Sequence, residues 1–141
     1  MTRINLVPPS ELADQHLFAE FREIQRLPGA LSRSLFSKTT SDVLKKIPSH
    51  FTLNTGHVTF FYDKGLFLRK RYESLIGELN KRGVHKFEAN EWDSKGIMSG
   101  NLWYNDYTPT EKALVISRER LAEKIAMKPS WYRWSKSGGL T

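Results

Sequence analysis

A predicted helix near the N-terminus carries a stripe of side chains that could do chemistry. They recur at spacings of three and four residues, which place them on one helix face: His16, Ala19, Glu23 and Arg26, with Arg22 beside them. We call these five residues the polar stripe. A carboxylate and an imidazole can transfer protons, and guanidinium groups bind anions. The same spacing is also typical of a solvated face with local ion pairs, so the pattern leaves both interpretations open.

The helix that carries the polar stripe is predicted from about Glu11 to Leu27. Ser10 is a favourable N-cap, and Pro28-Gly29 is predicted to end the helix. An apolar face is expected to pack into the core, and its residues are Ala13, Leu17, Phe21 and Ile24. The polar stripe lies more than a quarter of a turn from this apolar face, so it should contact solvent or a ligand.

Spacing alone does not select Glu23 as the functional carboxylate. Glu11 and Glu20 lie on the same predicted helix and carry the same chemical group. Any preference among the three must therefore come from another observation.

The rest of the chain also predicts helices, joined by irregular segments. The first part contains short helical pieces between Ala30 and Pro48 with Ser41 as a cap, and a turn at Asn54-Thr55-Gly56. The later part contains a helix from Leu66 to Leu79 that ends at Lys81-Arg82-Gly83, an irregular segment from Val84 to Tyr107, and a helix capped by Thr110 that runs to about Met127 before Pro129.

These elements predict an all-α fold. The sequence contains no internal repeat and no credible pair of strands. We expect a single compact domain over residues 1–141, with about three main helices and long irregular connections. The tail over residues 135–141 is expected to be flexible.

The composition favours a partner with many negative charges. The chain has 141 residues, with 22 Lys and Arg against 15 Asp and Glu, a formal charge of +7 and a pI near 9.7. Nucleic acid, an anionic membrane and simple solubility all fit this charge. The absence of cysteine rules out disulfides and thiolate chemistry, and it fits the cytoplasm. No secretory signal or apolar segment of membrane length is evident, so we expect a protein that is neither secreted nor inserted in a membrane.

The C-terminal part of the chain combines basic and aromatic residues. Arg120, Lys124 and Lys128 recur every four residues and could follow a phosphate backbone. Neighbouring acids at positions 119 and 123 also allow ordinary surface ion pairs. The tail then interleaves rings and cations, in the order Trp131, Tyr132, Arg133, Trp134. Such residues can stack on bases and contact phosphates, or they can anchor the tail onto the core.

The usual catalytic signatures are absent from the sequence. It contains no HExxH motif, no phosphate-binding glycine loop and no nucleophile elbow. The four histidines, at positions 16, 50, 57 and 85, lack the spacing of metal ligands. We therefore expect no metal site.

Several long motifs resemble those of one enzyme family. The N-terminal motifs are Thr2-Arg3-Ile4-Asn5-Leu6, the run from Ser10 to Leu17, and Ala19-Glu20-Phe21-Arg22-Glu23 with Arg26. The later motifs are Gly56-His57-Val58-Thr59-Phe60-Phe61-Tyr62-Asp63-Lys64, Leu68-Arg69-Lys70-Arg71, Arg120-Leu121 with Glu123-Lys124-Ile125-Ala126, and Lys128-Pro129-Ser130-Trp131-Tyr132. Together they span most of the chain. The sequence resembles the pyrimidine-dimer DNA glycosylase/AP lyase family of the phage endonuclease V type, in its algal-virus-like branch.

The resemblance implies a compact helical enzyme of base-excision repair. Such an enzyme removes the 5′ base of an ultraviolet-induced cyclobutane pyrimidine dimer and then nicks the strand as an AP lyase. The implied catalytic residues are Thr2, through its α-amine after removal of Met1, and Glu23. The implied DNA contacts are Arg3, His16, Arg22, Arg26, Arg120 and Lys124, to which we add Trp131, Tyr132 and Arg133 of the aromatic tail. The implied partner is double-stranded DNA with dimers or abasic sites, bound by a monomer that needs no metal or organic cofactor.

An α-amine suits the implied reaction. Its reference pKa is about 7.7–8.0 against about 10.4 for lysine, so much more of it is uncharged near neutral pH. Attack on C1′ of the sugar expels the base and leaves an iminium, which acidifies the C2′ proton and allows β-elimination. A nearby carboxylate can stabilise the developing positive charge and transfer protons.

Two other functions fit the sequence. A non-catalytic module could bind or bend damaged DNA through the basic and aromatic residues alone. An AP lyase could also lack specificity for dimers. The range of lesions is not defined by the sequence, because the resemblance to the phage enzyme weakens at Val7-Pro8-Pro9, at about residues 29–54 and at residues 84–107.

Overall fold

The computed structural model describes residues 4–83 and 92–135, and these residues form a helical bundle. Its α-helices are α1 Asp14–Ile24, α2 Leu27–Ser37, α3 Thr40–Lys45, α4 His57–Phe60, α5 Gly65–Arg82 and α6 Glu111–Met127. Within the described residues, β structure is limited to one isolated antiparallel bridge between Lys64 and Tyr104. The prediction of an all-α fold is confirmed.

The start of the first helix was placed too early. Pro9–Glu11 forms a separate 3-10 helix, the backbone is extended at Leu12 and Ala13, and α1 begins at Asp14. Ser10 is therefore not the N-cap of α1. The first helical N–H group, that of Asp14, instead donates to the carbonyl of Arg133 at 2.6 Å. The C-terminal segment thus satisfies one of the N–H groups that the first turn of a helix leaves without an intrahelical partner.

The end of the first helix also differs from the prediction. Helix α1 ends at Ile24, and Pro28 is the second residue of α2 rather than a terminator. Proline is tolerated there because the first turn of a helix needs no N–H partner. As a result, residues 4–83 and 92–135 contain four helices of 11 residues or more, where about three main helices were expected: α1, α2, α5 and α6.

The buried face of α1 was predicted correctly and packs against α5. Ala13, Leu17 and Ile24 are buried, and Phe21 is half-buried and stacks on Tyr72 with 5.8 Å between ring centroids. From α5, the residues in the shared apolar core include Leu68, Leu75, Ile76 and Leu79. This packing leaves the opposite side of α1 available for a site.

The two long C-terminal helices confirm their predicted ends. Helix α5 is followed by Gly83 at a φ of 67°, a left-handed conformation that favours glycine. Helix α6 begins after Thr110, whose hydroxyl accepts a hydrogen bond from the N–H of Ala113 at 3.1 Å. In the shorter α3 the capping residue is Thr39, not Ser41, because the Thr39 hydroxyl accepts from the N–H of Asp42.

The segment before α6 is irregular where the structure describes it. Residues 92–110 contain turns but no helix, which confirms the expectation for that part of residues 84–107, and residues 84–91 lie outside the description. Trp92 connects this segment to α1 through a hydrogen bond, in which its indole N–H donates to the carbonyl of Ile24 at 2.9 Å. No helix in the described ranges is long and apolar enough to cross a membrane.

Candidate active site

The first described residues form a fixed segment, which we call the anchored segment: Ile4, Asn5, Leu6 and Val7. All four are buried in the core of the protein. Each makes a hydrogen bond to a different residue. The Ile4 N–H donates to Nε2 of His57 at 2.9 Å, and the Leu6 N–H donates to the hydroxyl of Ser117 at 3.1 Å. The Asn5 amide donates to Glu20 at 3.0 Å, and the Val7 carbonyl accepts from Arg71 at 2.5 Å. These partners lie on α1, α4, α5 and α6, so four helices fix the direction in which the chain emerges.

Glu20 is a structural residue of this arrangement. Its side chain is fully buried, and Arg71 donates to both of its oxygens, at 2.7 Å from Nε and 3.0 Å from Nη2. The amide of Asn5 donates to the same carboxylate. Because a buried charge is tolerated only when it is well paired, Glu20 serves to hold the anchored segment and α5 against α1.

Glu23 lies one turn further along α1 and has a different environment. Its side chain is 22% exposed, and Arg26 is its charged neighbour at 3.7 Å between Nη1 and Oε2. This distance is too long for a hydrogen bond, and the Arg26 side chain is itself 72% exposed. The carboxylate of Glu23 can therefore be approached from solvent. The structure thus separates Glu23 from Glu20, which the spacing of residues could not do.

His16, also in the polar stripe, is a neutral stacking group. Its ring stacks on Tyr132 with 4.7 Å between centroids. Burial lowers the pKa of His16, and the positive charge of Lys124 lowers it further against an opposing effect of Glu20. The imidazole is therefore uncharged near neutral pH. Its Nδ1 atom is buried and has no hydrogen-bond partner in the described part of the chain.

The basic residues of the candidate site lie on two helices. Arg22 and Arg26 of the polar stripe are exposed on α1, and Arg120 and Lys124 are partly exposed on α6. Lys124 is close enough to His16 for its charge to lower the pKa of that imidazole, so this residue of α6 lies near the polar stripe. The predicted ion pair of Arg120 with Glu123 is weak, because the two groups are 3.9 Å apart and Glu123 is largely exposed.

The aromatic tail is held on the N-terminal end of α1. The Gln15 amide donates to the carbonyl of Trp131 at 2.6 Å, and its oxygen accepts from the N–H of Arg133 at 3.0 Å. Tyr132 stacks on His16, whereas Trp131 remains 55% exposed. The tail is therefore anchored, and it still presents an aromatic ring and a cation to solvent.

The expected flexible tail does not begin at Ser135. The backbone N–H and the hydroxyl of Ser135 both donate to Asp14, at 3.0 and 2.5 Å. Asp14 also accepts from Arg82 at 2.8 Å. Burial alone would raise the pKa of Asp14, but these hydrogen bonds and the charge of Arg82 bring it below its usual value. Ser135 is thus fixed by an ionised carboxylate, and residues 136–141 lie outside the description.

The structure reaches all but two of the predicted site residues. Thr2 and Arg3 lie outside the described residues, immediately before the anchored segment. Sequence reasoning missed the supporting residues His57, Ser117 and Arg71. His57 and Arg71 were visible only as members of longer motifs, and Ser117 gave no signal because its partner, Leu6, is 111 residues away.

A comparison with known proteins identifies the family of the chain. The family model described as pyrimidine dimer DNA glycosylase matches residues 1–93, which include the anchored segment, the polar stripe and helix α5. The chain belongs to the pyrimidine dimer DNA glycosylase family. This family acts on DNA with pyrimidine dimers, so DNA is the class of partner.

Proposed function

We propose that the chain releases the 5′ base of cyclobutane pyrimidine dimers through an imine formed by the α-amine of Thr2, and then nicks the strand. The anchored segment is the observation that carries this proposal. Consecutive Cα atoms are about 3.8 Å apart, so the Cα of Thr2 is within about 7.6 Å of that of Ile4. A terminal amine so close to a fixed residue can be positioned to attack one sugar carbon.

The proposed first step is attack by the uncharged amine on C1′ of the damaged nucleotide. A bond forms between the amine nitrogen and C1′, the bond from C1′ to the base breaks, and the base takes up a proton. Within a dimer this base stays joined to the 3′ pyrimidine through the cyclobutane ring. The amine nitrogen then loses a proton, the bond from C1′ to the ring oxygen O4′ breaks, and O4′ takes up a proton, which gives the iminium. The electron-poor iminium makes the C2′ proton acidic, and its removal expels the 3′ phosphate by β-elimination.

Glu23 is the proposed partner of the amine. Its carboxylate is accessible and carries the negative charge that would stabilise positive charge on the sugar. It can also accept the proton that the amine loses and transfer protons during ring opening. Glu20 is unsuited to this role, because Arg71 and Asn5 already occupy its two oxygens.

The residues around Glu23 would position the DNA. We propose that Arg3, Arg22, Arg26, Arg120 and Lys124 contact phosphates, while His16 and Tyr132 act together as a stacked, uncharged surface. Trp131 and Arg133 extend this surface on the side of the tail. Such contacts would set the register of the duplex, and stacking groups could support a kink at the lesion.

Borohydride reduction tests the proposed chemistry, since it converts an iminium into a stable covalent complex. We expect capture with duplexes that contain a dimer and with duplexes that contain an abasic site, and none with undamaged DNA. Binding or bending of damaged DNA without nicking would favour the non-catalytic module. Capture with abasic DNA alone would indicate an AP lyase without specificity for dimers.

The proposed phosphate contact of Lys124 has a measurable consequence. Replacing Lys124 by Met should lower the slope of log K against log salt concentration by about 0.9, because one fewer counterion is released on binding. Binding titrations of a duplex that contains an uncleavable abasic analogue, over a range of salt concentrations, would measure this slope. Lys112→Met is the matched control, as Lys112 is an exposed lysine of the same helix outside the proposed surface. Equal slopes for Lys124→Met and the wild type would contradict the contact.

A further inference from the structure

The imidazole of His57 makes two hydrogen bonds that fix its protonation. Its Nε2 atom accepts from the backbone N–H of Ile4 at 2.9 Å, and its Nδ1 atom lies 2.7 Å from the carbonyl of Thr52. A backbone N–H can only donate and a carbonyl can only accept. The proton must therefore be on Nδ1, and the ring is neutral. A doubly protonated ring would leave the Ile4 N–H facing another donor.

The surroundings of His57 hold the ring in place. The side chain is 4% exposed, and the edges or faces of Phe51 and Phe61 meet it with centroids 5.5 Å away in each case. The preceding Gly56 has a φ of 96°, and a Cβ at that position would lie 2.9 Å from Pro48. The turn before α4 therefore requires glycine, and it positions the His57 ring beside the anchored segment.

We propose that His57 is a positioning residue for the N-terminal nucleophile. This inference rests on the proposed function, in which the α-amine of Thr2 attacks the sugar. Ile4 is only two residues from Thr2, which carries that amine. Among the hydrogen bonds of the anchored segment, the one from the Ile4 N–H to His57 is the nearest to the N-terminus. His57 holds the backbone there without adding charge beside the amine.

The length of free chain sets the size of the effect. Without the acceptor of His57, the hydrogen bond nearest the terminus is the one from the Asn5 amide to Glu20. A free chain of about three residues reaches about 1.5 times as far as one of two residues. The volume open to the amine then grows about threefold, and the Ile4 backbone no longer fixes the direction of the amine. We expect capture of the sugar to slow by about 10-fold or more.

Two amide replacements separate positioning from general stability. The side-chain oxygen of Gln can reach the position of Nε2 and accept from Ile4, whereas the shorter Asn reaches only the position of Nδ1. His57→Gln should retain single-turnover borohydride capture of abasic-site duplex to within about threefold of wild type. His57→Asn should slow capture at saturating DNA by about 10-fold or more, with its Kd for an uncleavable abasic analogue within about twofold. The melting temperatures should fall alike.

Several results would overturn the assignment of His57. Equal slowing by Asn and Gln would show that the lost ring, not the acceptor, matters, and wild-type capture by His57→Asn would show that the bond is unimportant. Both results leave the proposed function intact if the wild type is captured through Thr2, whereas failure of wild-type capture would reject the proposed function itself. If neither variant folds, NMR of the wild type decides. A coupling through the hydrogen bond from the Ile4 nitrogen to Nε2 supports the assignment, and its absence overturns it.

Discussion

Replacing Glu23 by Gln is expected to slow release of the 5′ base by about 10²- to 10⁴-fold, the usual range for loss of a group that transfers protons. The substitution keeps the size of the side chain but removes the charge that would stabilise the sugar cation. Stability should change by no more than about 0.5 kcal/mol, because Glu23 is partly exposed and its ion-pair partner among the described residues, Arg26, is 3.7 Å away. Single-turnover assays on dimer-containing duplex, with DNA binding measured in parallel, would test this.

Glu20→Gln is the matched control for Glu23→Gln. The same chemical change three residues earlier leaves Arg71 buried without its ionic partner. We expect a loss of about 3–5 kcal/mol in the free energy of unfolding, measured by urea denaturation. Full base release by Glu23→Gln would contradict its catalytic role. A loss of stability as large as that of Glu20→Gln would contradict the separation of the two carboxylates into a structural and a reactive one.

A single Gly added before Thr2 is expected to reduce borohydride capture by at least about 100-fold. The extended chain still ends in a primary amine, but that amine is displaced by about 3.5 Å along the chain. Reacting atoms must approach to about 3–3.5 Å with the correct orientation, and a misplacement of even 1 Å can reduce the rate by about 100-fold. The intact mass of each protein would establish that Met1 has been removed.

The same Gly added at the C-terminus controls for the change in length. This variant should be captured at the wild-type rate, and both variants should bind abasic-site duplex equally well. Unchanged capture by the N-terminal variant would mean that the amine does not depend on the anchored segment for its position.

Local signals in the sequence predicted α5 and α6 well. The cap at Thr110 and the glycine at position 83 act within a few residues of the helix ends, so the sequence contains the relevant information. The start of α1 depends instead on a carbonyl from Arg133, which no local pattern reveals. The sequence predicts only short helical pieces after Pro28, where the structure has the 11-residue helix α2. The two differ because proline and glycine are compatible with the first turn of a helix as well as with a helix end.

The candidate site was predicted in part. Helical spacing identified the polar stripe, but the roles of Glu20 and Glu23 depend on burial and on Arg71, which is 51 residues from Glu20. The acceptor function of His57 likewise depends on Ile4, 53 residues away. Thr2 was selected by resemblance alone, since nothing in its side chain distinguishes it. The structure adds that the anchored segment, which follows Thr2 almost directly, is fixed by four helices.

The most direct test of the central claim is the location of the trapped sugar. Borohydride-reduced complex would be digested with a lysine-specific protease and the modified peptide identified by mass spectrometry. The first lysine of the sequence is Lys38, so the N-terminal fragment, residues 2–38, has the α-amine of Thr2 as its single amine apart from the lysine at the cleavage site. We expect the adduct on this fragment, at Thr2. An adduct on a lysine side chain of any other fragment would contradict Thr2 as the nucleophile.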